Sequence, residues 1–217
     1  MNSTVHWIVT MPRKYELKKR AAQQEATRRR IIDATVALHS TVGPARTTIS
    51  AVAERAGVQR LTFYRHFPDE TALLRACSGH YFTTHPFPDS APWVAIADPV
   101  ARLRRGLTDI YAFFAENEAM FSLGARDAPF VPALVETSQP LYDYLERARD
   151  ILAAGWQELD ESPSLLQAAL GHALAFATWQ SLVREQSIEA EQAVELMVCF
   201  AQCAAGGVDI FNEHFRQ

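Results

Sequence analysis

Cysteine is scarce in this sequence, and what there is does not pair. The three residues, Cys77, Cys199 and Cys203, are odd in number and sit in apolar helical stretches. That excludes the disulfide framework of a small secreted domain and fits a cytoplasmic protein in a reducing compartment. Cys199 and Cys203 are four apart and share a helical face; redox sensing and plain core packing are both open to them. Glycine and proline are also few, 9 and 11 in 217 residues. They cluster between apolar-periodic stretches, which excludes a many-turned all-β protein and favours an all-α fold with short joints. No stretch approaches the ~20 apolar residues of a membrane span. Met1 to Thr10 lacks the basic start and apolar length of a signal peptide and reads as a disordered extension, with Met11, Pro12 and Arg13 offering a second plausible start.

Catalytic signatures are missing as well. There is no Gly-rich phosphate loop, no metal-ligand spacing among the seven histidines, and no nucleophile elbow. Carboxylate pairs such as Glu116 with Glu118 and Asp160 with Glu161 fall at exposed helix ends, where solvation explains them. No catalytic residue, metal or cofactor is expected, and the chain does not read as an enzyme.

What the chain does have is a lopsided charge. Residues 1–75 carry 13 of the 21 Lys and Arg against 6 of the 25 Asp and Glu, a balance of +7, while the remainder carries 8 against 19, a balance of −11. A basic head on an acidic body is the electrostatic outline of a nucleic-acid-binding unit joined to one that avoids nucleic acid; a solvated basic helix is the plainer alternative. All three lysines, Lys14, Lys18 and Lys19, lie with Arg13 and Arg20 in the first 20 residues, ahead of Arg28, Arg29 and Arg30. Such an arm either reaches the minor groove or flanking phosphates, or is merely a solvated helix start.

Apolar periodicity predicts a helix from about Glu16 to Thr41, through Ile31, Thr35 and Leu38, stopped by Gly43 and Pro44. Thr47 and Thr48 offer caps for a short helix through Ala56, Gly57 makes a turn, and a third helix runs from about Gln59 to His66. Pro68 and Asp69 open a fourth to about Phe82. The span 83–99 holds Pro86, Pro88, Pro92 and Pro99 and reads as a loop or hinge. Helical segments follow at about 99–117, 118–124, 131–158, 163–185 and 188–205, with Pro129, Pro132 and Pro140 making the start of the third uncertain.

The segment Thr48 to Phe67, TISAVAERAGVQRLTFYRHF, has the logic of a helix-turn-helix. Ala53 is small where two helices cross, Gly57 supplies a left-handed turn, and Val52, Val58 and Phe63 are apolar where the pair packs. That leaves Gln59, Arg60, Leu61, Thr62, Tyr64 and His66 outward on a helix suited to the major groove. The set includes a guanidinium for guanine O6 and N7, an apolar side chain for a thymine methyl, and hydroxyls for phosphate.

Thr47-Thr48-Ile49, Ala56-Gly57-Val58, Thr62-Phe63-Tyr64-Arg65-His66-Phe67 and Ala72-Leu73-Leu74 together resemble the DNA-binding domain of the TetR (tetracycline repressor) family, over about Thr27 to Leu74. The resemblance implies an N-terminal three-helix helix-turn-helix DNA-binding domain and a larger C-terminal helical ligand-binding and dimerisation domain. It implies that Thr48, Thr62, Tyr64 and His66 touch phosphates, that Arg60 and Leu61 face base edges, and that Ser50 lies among the contacts, to which the outward face adds Gln59. Two positions depart from the family pattern. Glu70 stands where a phosphate-binding lysine is common, and Leu61 where glycine or proline is usual.

The expected organisation is a basic, flexible extension over 1–20, a helix-turn-helix domain over 21–68 and a regulatory domain over 69–217, with the helix 69–82 as connector. Ala168, Gly171, Ala175, Thr178 and Leu182 form a small-residue stripe, and Val194, Met197, Val198 and Ala201 supply apolar bulk. These suit a four-helix homodimer interface, or else the core of a monomer. Aromatic density points to a pocket for a largely apolar or aromatic small molecule, with Tyr111, Phe114, Phe121, Tyr142, His172 and Phe176 as ligand-facing candidates and Arg126 as a further polar one. The functional expectation is a repressor that binds a palindromic DNA operator as a homodimer and is released by an effector. The competing one is a helix-turn-helix activator or architectural protein without an effector.

Overall fold

The computed structural model describes residues 13–156 and 163–206. These residues form helices α1 (Arg13–His39), α2 (Ile49–Ala56), α3 (Arg60–His66), α4 (Glu70–Thr84), α5 (Ala91–Val94), α6 (Pro99–Glu116) and α7 (Glu118–Asp127). The chain continues with α8 (Ala133–Thr137), α9 (Gln139–Ala153), α10 (Pro163–Ala173), α11 (Phe176–Gln180) and α12 (Ala190–Ala204). No strand occurs among the described residues, so the all-α expectation stands. The expected Met1 to Thr10 extension lies outside the described residues. Arg13 to Arg20 form the first turns of α1, exposed from Tyr15 onward.

The starts of the helices follow from local chemistry. Thr48 Oγ1 accepts the Ala51 N–H at 3.1 Å, the Asp69 carboxylate accepts the Ala72 N–H at 2.7 Å, and the Asp98 carboxylate accepts the Ala101 N–H at 2.8 Å. Each satisfies one of the N–H groups that a helix start leaves without a partner. α1 ends where Gly43 turns with φ +90°, followed by a 3₁₀ turn at Pro44–Arg46.

Two hydrophobic cores result. The smaller joins α1 to α4 through Ile31, Ile32, Val52, Phe63, Phe67 and Leu73, each at most 5% exposed. The larger is built on α6, whose Leu103, Leu107, Ile110 and Phe114 are fully buried against α9, α10 and α12. A Cβ at Gly106 would stand 2.7 Å from a Leu152 methyl, so glycine is what lets α6 and α9 approach here. α4 links the two regions: Leu73 packs in the smaller core, while further along Tyr81 bonds to Asn117 between α6 and α7.

Three sequence expectations need correction. The span 83–99 is no free hinge, because α5 plants Trp93 in the larger core at 0% exposure and its indole N–H donates to Asp109 at 2.7 Å. The segment 131–158, described to residue 156, divides at Ser138 into α8 and α9, with Pro140 tolerated in the first turn of α9. The segment 163–185 breaks at Ala175, which is extended (φ −75°, ψ 134°), and closes in a π-helical turn at Ser181–Glu185. Thr178 Oγ1 donates to the His172 carbonyl at 2.6 Å and so supplies a partner beside the break.

Candidate DNA-reading head and the cavity beneath it

The turn between α2 and α3 depends on one residue. Gly57 sits at φ +64°, ψ 42°, where the Gly57 and Val58 N–H groups donate to the carbonyls of Glu54 (3.1 Å) and Ala53 (2.9 Å) and close the end of α2. Phe63 and Phe67 then fix the roll of α3 on α1, with the Arg28 guanidinium over the Phe67 ring at 5.1 Å. With those rings buried, Gln59, Arg60, Leu61 and Tyr64 face solvent, Leu61 at 64% exposure. Thr62 and His66 are half-buried and border a groove against the Arg20 to Arg28 stretch of α1. Thr48 and Ser50 are exposed at the start of α2. The expected DNA-facing residues are therefore all wholly or partly exposed, and α1 adds positive charge beside Thr62 and His66. Glu70 is exposed at the start of α4.

The head is tied to the body at a second point besides α4. The Asp127 carboxylate, 3% exposed at the end of α7, accepts the Ala45 N–H at 2.9 Å and two bonds from Arg126, and Arg126 also donates to the Val42 carbonyl at 2.8 Å. These bonds hold the Asp127 carboxyl below the usual carboxylate range, the Arg126 bond most of all. A Cβ at Gly43 would collide with both side chains, so the glycine leaves the room this clasp fills. Arg126, a polar candidate for the pocket, is thereby engaged with the head.

Beneath the head, α4, α7, α8, α9 and the broken α10–α11 pair enclose a cavity of about 650 Å³. Leu74, Cys77 and Tyr81 of α4, Phe121 of α7, Phe176 of α11 and His39 of α1 all contribute to its wall. A Cβ added at Gly124 or Gly171, both in the lining, would meet no atom within 4 Å, as expected of residues beside open space. Burial lowers the pKa of His39 to about 4 and pushes the Cys77 thiol and the Tyr81 phenol up to about 12, so this side of the wall is uncharged at neutral pH. His39 Nδ1 lies 3.7 Å from Cys77 Sγ, and the Tyr81 hydroxyl donates to Asn117 Oδ1. A largely apolar compound of ordinary ligand size suits such walls.

Residues 31–77 match the model of the bacterial regulatory proteins of the tetR family. The helix-turn-helix stretch of this chain is of the tetR-family type. Among curated relatives it is similar to the HTH-type transcriptional repressor KstR of Mycobacterium tuberculosis, 39% identical over 80 residues that cover 37% of this chain and 36% of the relative. The KstR of Mycolicibacterium smegmatis is 44% identical over 59 residues, covering 27% and 29%. The match thus spans about a third of the length of these relatives, which are transcriptional regulators and not enzymes. Solved structures extend the likeness in fold. A TetR-like regulator from a Rhodococcus species superposes with TM-score 0.59 at 22% identity over 84% of this chain and 97% of its own. The regulator FadR of Bacillus subtilis, solved in complex with stearoyl-CoA, gives TM-score 0.53 at 17% identity over 82% and 98%.

In this chain the structure brings only part of the expected ligand set to the cavity. Phe121 and Phe176 line it and Tyr142 stands at its rim, 56% exposed. Tyr111 and Phe114 do not: both are at most 2% exposed in the larger core, and the Tyr111 hydroxyl donates to the Ala173 carbonyl at 3.0 Å. His172 is exposed and absent from the lining, its ring edge-to-face with Phe200 at 6.0 Å. Sequence reasoning missed His39, Cys77 and Tyr81, whose only signal was spacing along two helices that both end near the junction.

The expected dimer residues also divide. Val194, Met197, Val198 and Ala201 are at most 7% exposed within the chain's own core, so they are not free for a partner. Gly171 and Ala175 face the cavity, Thr178 is buried and Leu182 packs on the core, which leaves only Ala168 of the stripe exposed. The stripe fails as one surface because the helix that would carry it is broken. A different apolar face is open instead: Leu165 (50%), Leu196 (46%) and Phe200 (45%), with Ala168, His172 and Cys199 also exposed on α10 and α12.

Proposed function

We propose that this chain is a TetR-family repressor that binds a palindromic DNA operator as a homodimer and leaves it when a largely apolar small molecule fills the cavity. One observation carries this reading: the wall of the cavity is made of elements that also hold the DNA-reading head. α4 packs in the head's core through Leu73 and lines the cavity through Leu74, Cys77 and Tyr81, α7 clasps the turn after α1, and His39 of α1 itself lines the cavity. A ligand that alters this wall has a direct mechanical route to α3. We assign DNA contacts to Thr48, Ser50, Gln59, Arg60, Leu61, Thr62, Tyr64 and His66, all wholly or partly solvent-facing. We take residues 21–68 as the DNA-binding unit and 69–217 as the regulatory one, with α4 as connector.

For the homodimer, we assign the exposed face of Leu165, Ala168, Leu196 and Phe200. α12 is apolar on two sides, as a helix buried between its own core and a partner should be. Dimerisation would set two α3 helices about one DNA turn apart.

The test is selection of a binding site from random duplexes by the full chain, followed by titration with lipophilic compounds. A symmetric site and compound-induced release are expected. A single asymmetric half-site would overturn the dimer, and binding indifferent to every compound that stabilises the protein would favour an architectural or effector-free regulator.

A further inference from the structure

Among the residues that line the cavity, Arg149 is the one with a permanent positive charge. It stands on α9 in line with Leu141 and Leu145, at intervals of four residues, which is one helical face. That stripe is about 12 Å long at 1.5 Å per residue. Its Leu141 end follows α8, where the Thr137 carbonyl accepts a bond from Ser78 of α4 at 3.0 Å. Arg149 marks the other end. Its Nε is buried and has no hydrogen-bond partner among the described residues. The guanidinium's ionic contact, to Glu146 three residues earlier, is 3.6 Å long, and the Glu146 side chain is 68% exposed. A pair so long and so wet contributes little, and it leaves unused the Nε donor that a carboxylate would engage.

We propose that the cavity takes an amphiphilic monocarboxylate, its single anionic head bound by Arg149 and its apolar body laid along α9 toward α4. The proposal rests on the cavity being the effector site. The rest of the wall supports the division of labour: His39, Cys77 and Tyr81 lie in a neutral, buried stretch that disfavours a second charge. Glu146, also in the lining, sets its own negative charge beside the head, which disfavours a dianion. The body then reaches Ser78 and Tyr81 on the helix that enters the DNA-reading head, so the acidic end supplies affinity and the apolar end supplies the push.

Three probes that differ in the head alone test this, by calorimetry on the full chain below their micellar concentrations: dodecanoate, dodecanol and dodecyltrimethylammonium. Dodecanoate should bind at least about tenfold tighter than dodecanol, as charge-assisted bonds allow, and the cation should bind weakest. Arg149→Met should bring the acid to within about threefold of the alcohol while leaving the alcohol's affinity unchanged. Glu146→Gln, which keeps the wall and removes the competing carboxylate, should tighten acid binding and leave the alcohol alone, and it serves if Arg149→Met fails to fold. Equal affinity for acid and alcohol in the wild type, or full discrimination in Arg149→Met, overturns the carboxylate proposal alone. Binding by none of the probes overturns it together with the cavity reading.

Discussion

Replacing Asp127 by alanine should separate the part that α7 plays in holding the head from that of α4. The variant leaves the Ala45 N–H without its 2.9 Å acceptor and frees Arg126. A hydrogen bond to a charged acceptor contributes about 1.5–3 kcal/mol, and this one is part-buried. The Arg126 pair adds little, since its guanidinium is 42% exposed. Against this, Asp127 closes α7 at the negative end of the helix dipole, and its removal there returns about 0.3–1 kcal/mol. The net loss is about 0.5–2.5 kcal/mol, which for a chain of this size lowers the melting temperature by roughly 1–10 °C. The pH dependence has a definite sign. The folded-state pKa lies below the ordinary 3.8, so the contribution is complete well above that value and is lost as pH falls below it. Thermal melts at pH 7 and urea titrations from pH 5 to 3, wild type against Asp127→Ala, measure both. The gap should be full at pH 5 and shrink towards pH 3. A melting temperature unchanged at pH 7, or a gap that widens in acid, would refute the reasoning.

His39 gives an acid response in a different window. Its folded pKa of about 4 lies below the unfolded 6.5, so its contribution is complete above pH 6.5 and falls by about 3 kcal/mol towards pH 4. His39→Gln should flatten the urea midpoint over that interval, and a variant as pH-sensitive as the wild type would exclude the assignment. Arg60→Ala, on the exposed face of α3, should cost about 1–3 kcal/mol of operator binding and relax the preference at one base pair in each half-site; a uniform loss across sequences would mark it as a phosphate contact instead. Glu70→Lys should add one phosphate contact per head and steepen the salt dependence of binding by about 0.9 for each, and a slope unchanged in anisotropy titrations would place residue 70 away from DNA.

The DNA-reading head was legible in the sequence because its constraints are local. A cap at Thr48, a left-handed turn at Gly57 and three buried apolar positions fix where α3 points, and each lies within a few residues of the next. The body was less legible because its constraints are not. α12 carries two apolar stripes, Val194 to Ala201 and Leu196 to Phe200, and periodicity alone cannot say which one faces the chain's own core. The cavity is defined partly by missing atoms, at Gly124 and Gly171, and by side chains from separate helices brought together only by packing. Arg126 read as a polar candidate for the pocket and Asp127 went unmarked, because their partners Val42 and Ala45 lie more than 80 residues away along the chain.

That clasp changes how a filled cavity would act on the head. With α4 as the sole connection, pressure on its C-terminal half would loosen the head as much as turn it, and a loose head still samples the DNA-binding orientation. With Asp127 holding Ala45 and Leu73 holding the small core, the head is fixed at two separated points. A ligand that pushes α4 away from α7 then shifts one point relative to the other and rotates α3 as a rigid piece. In the proposed homodimer, rotation would exclude the paired orientation in a way that loosening would not. The coupling available, about 1–3 kcal/mol for an ordinary allosteric protein, is of the same order as the clasp itself. The clasp can therefore transmit such a push without being broken by it only if the ligand's differential affinity stays at the lower end of that range. Asp127→Ala should accordingly weaken ligand-induced release more than it weakens DNA binding.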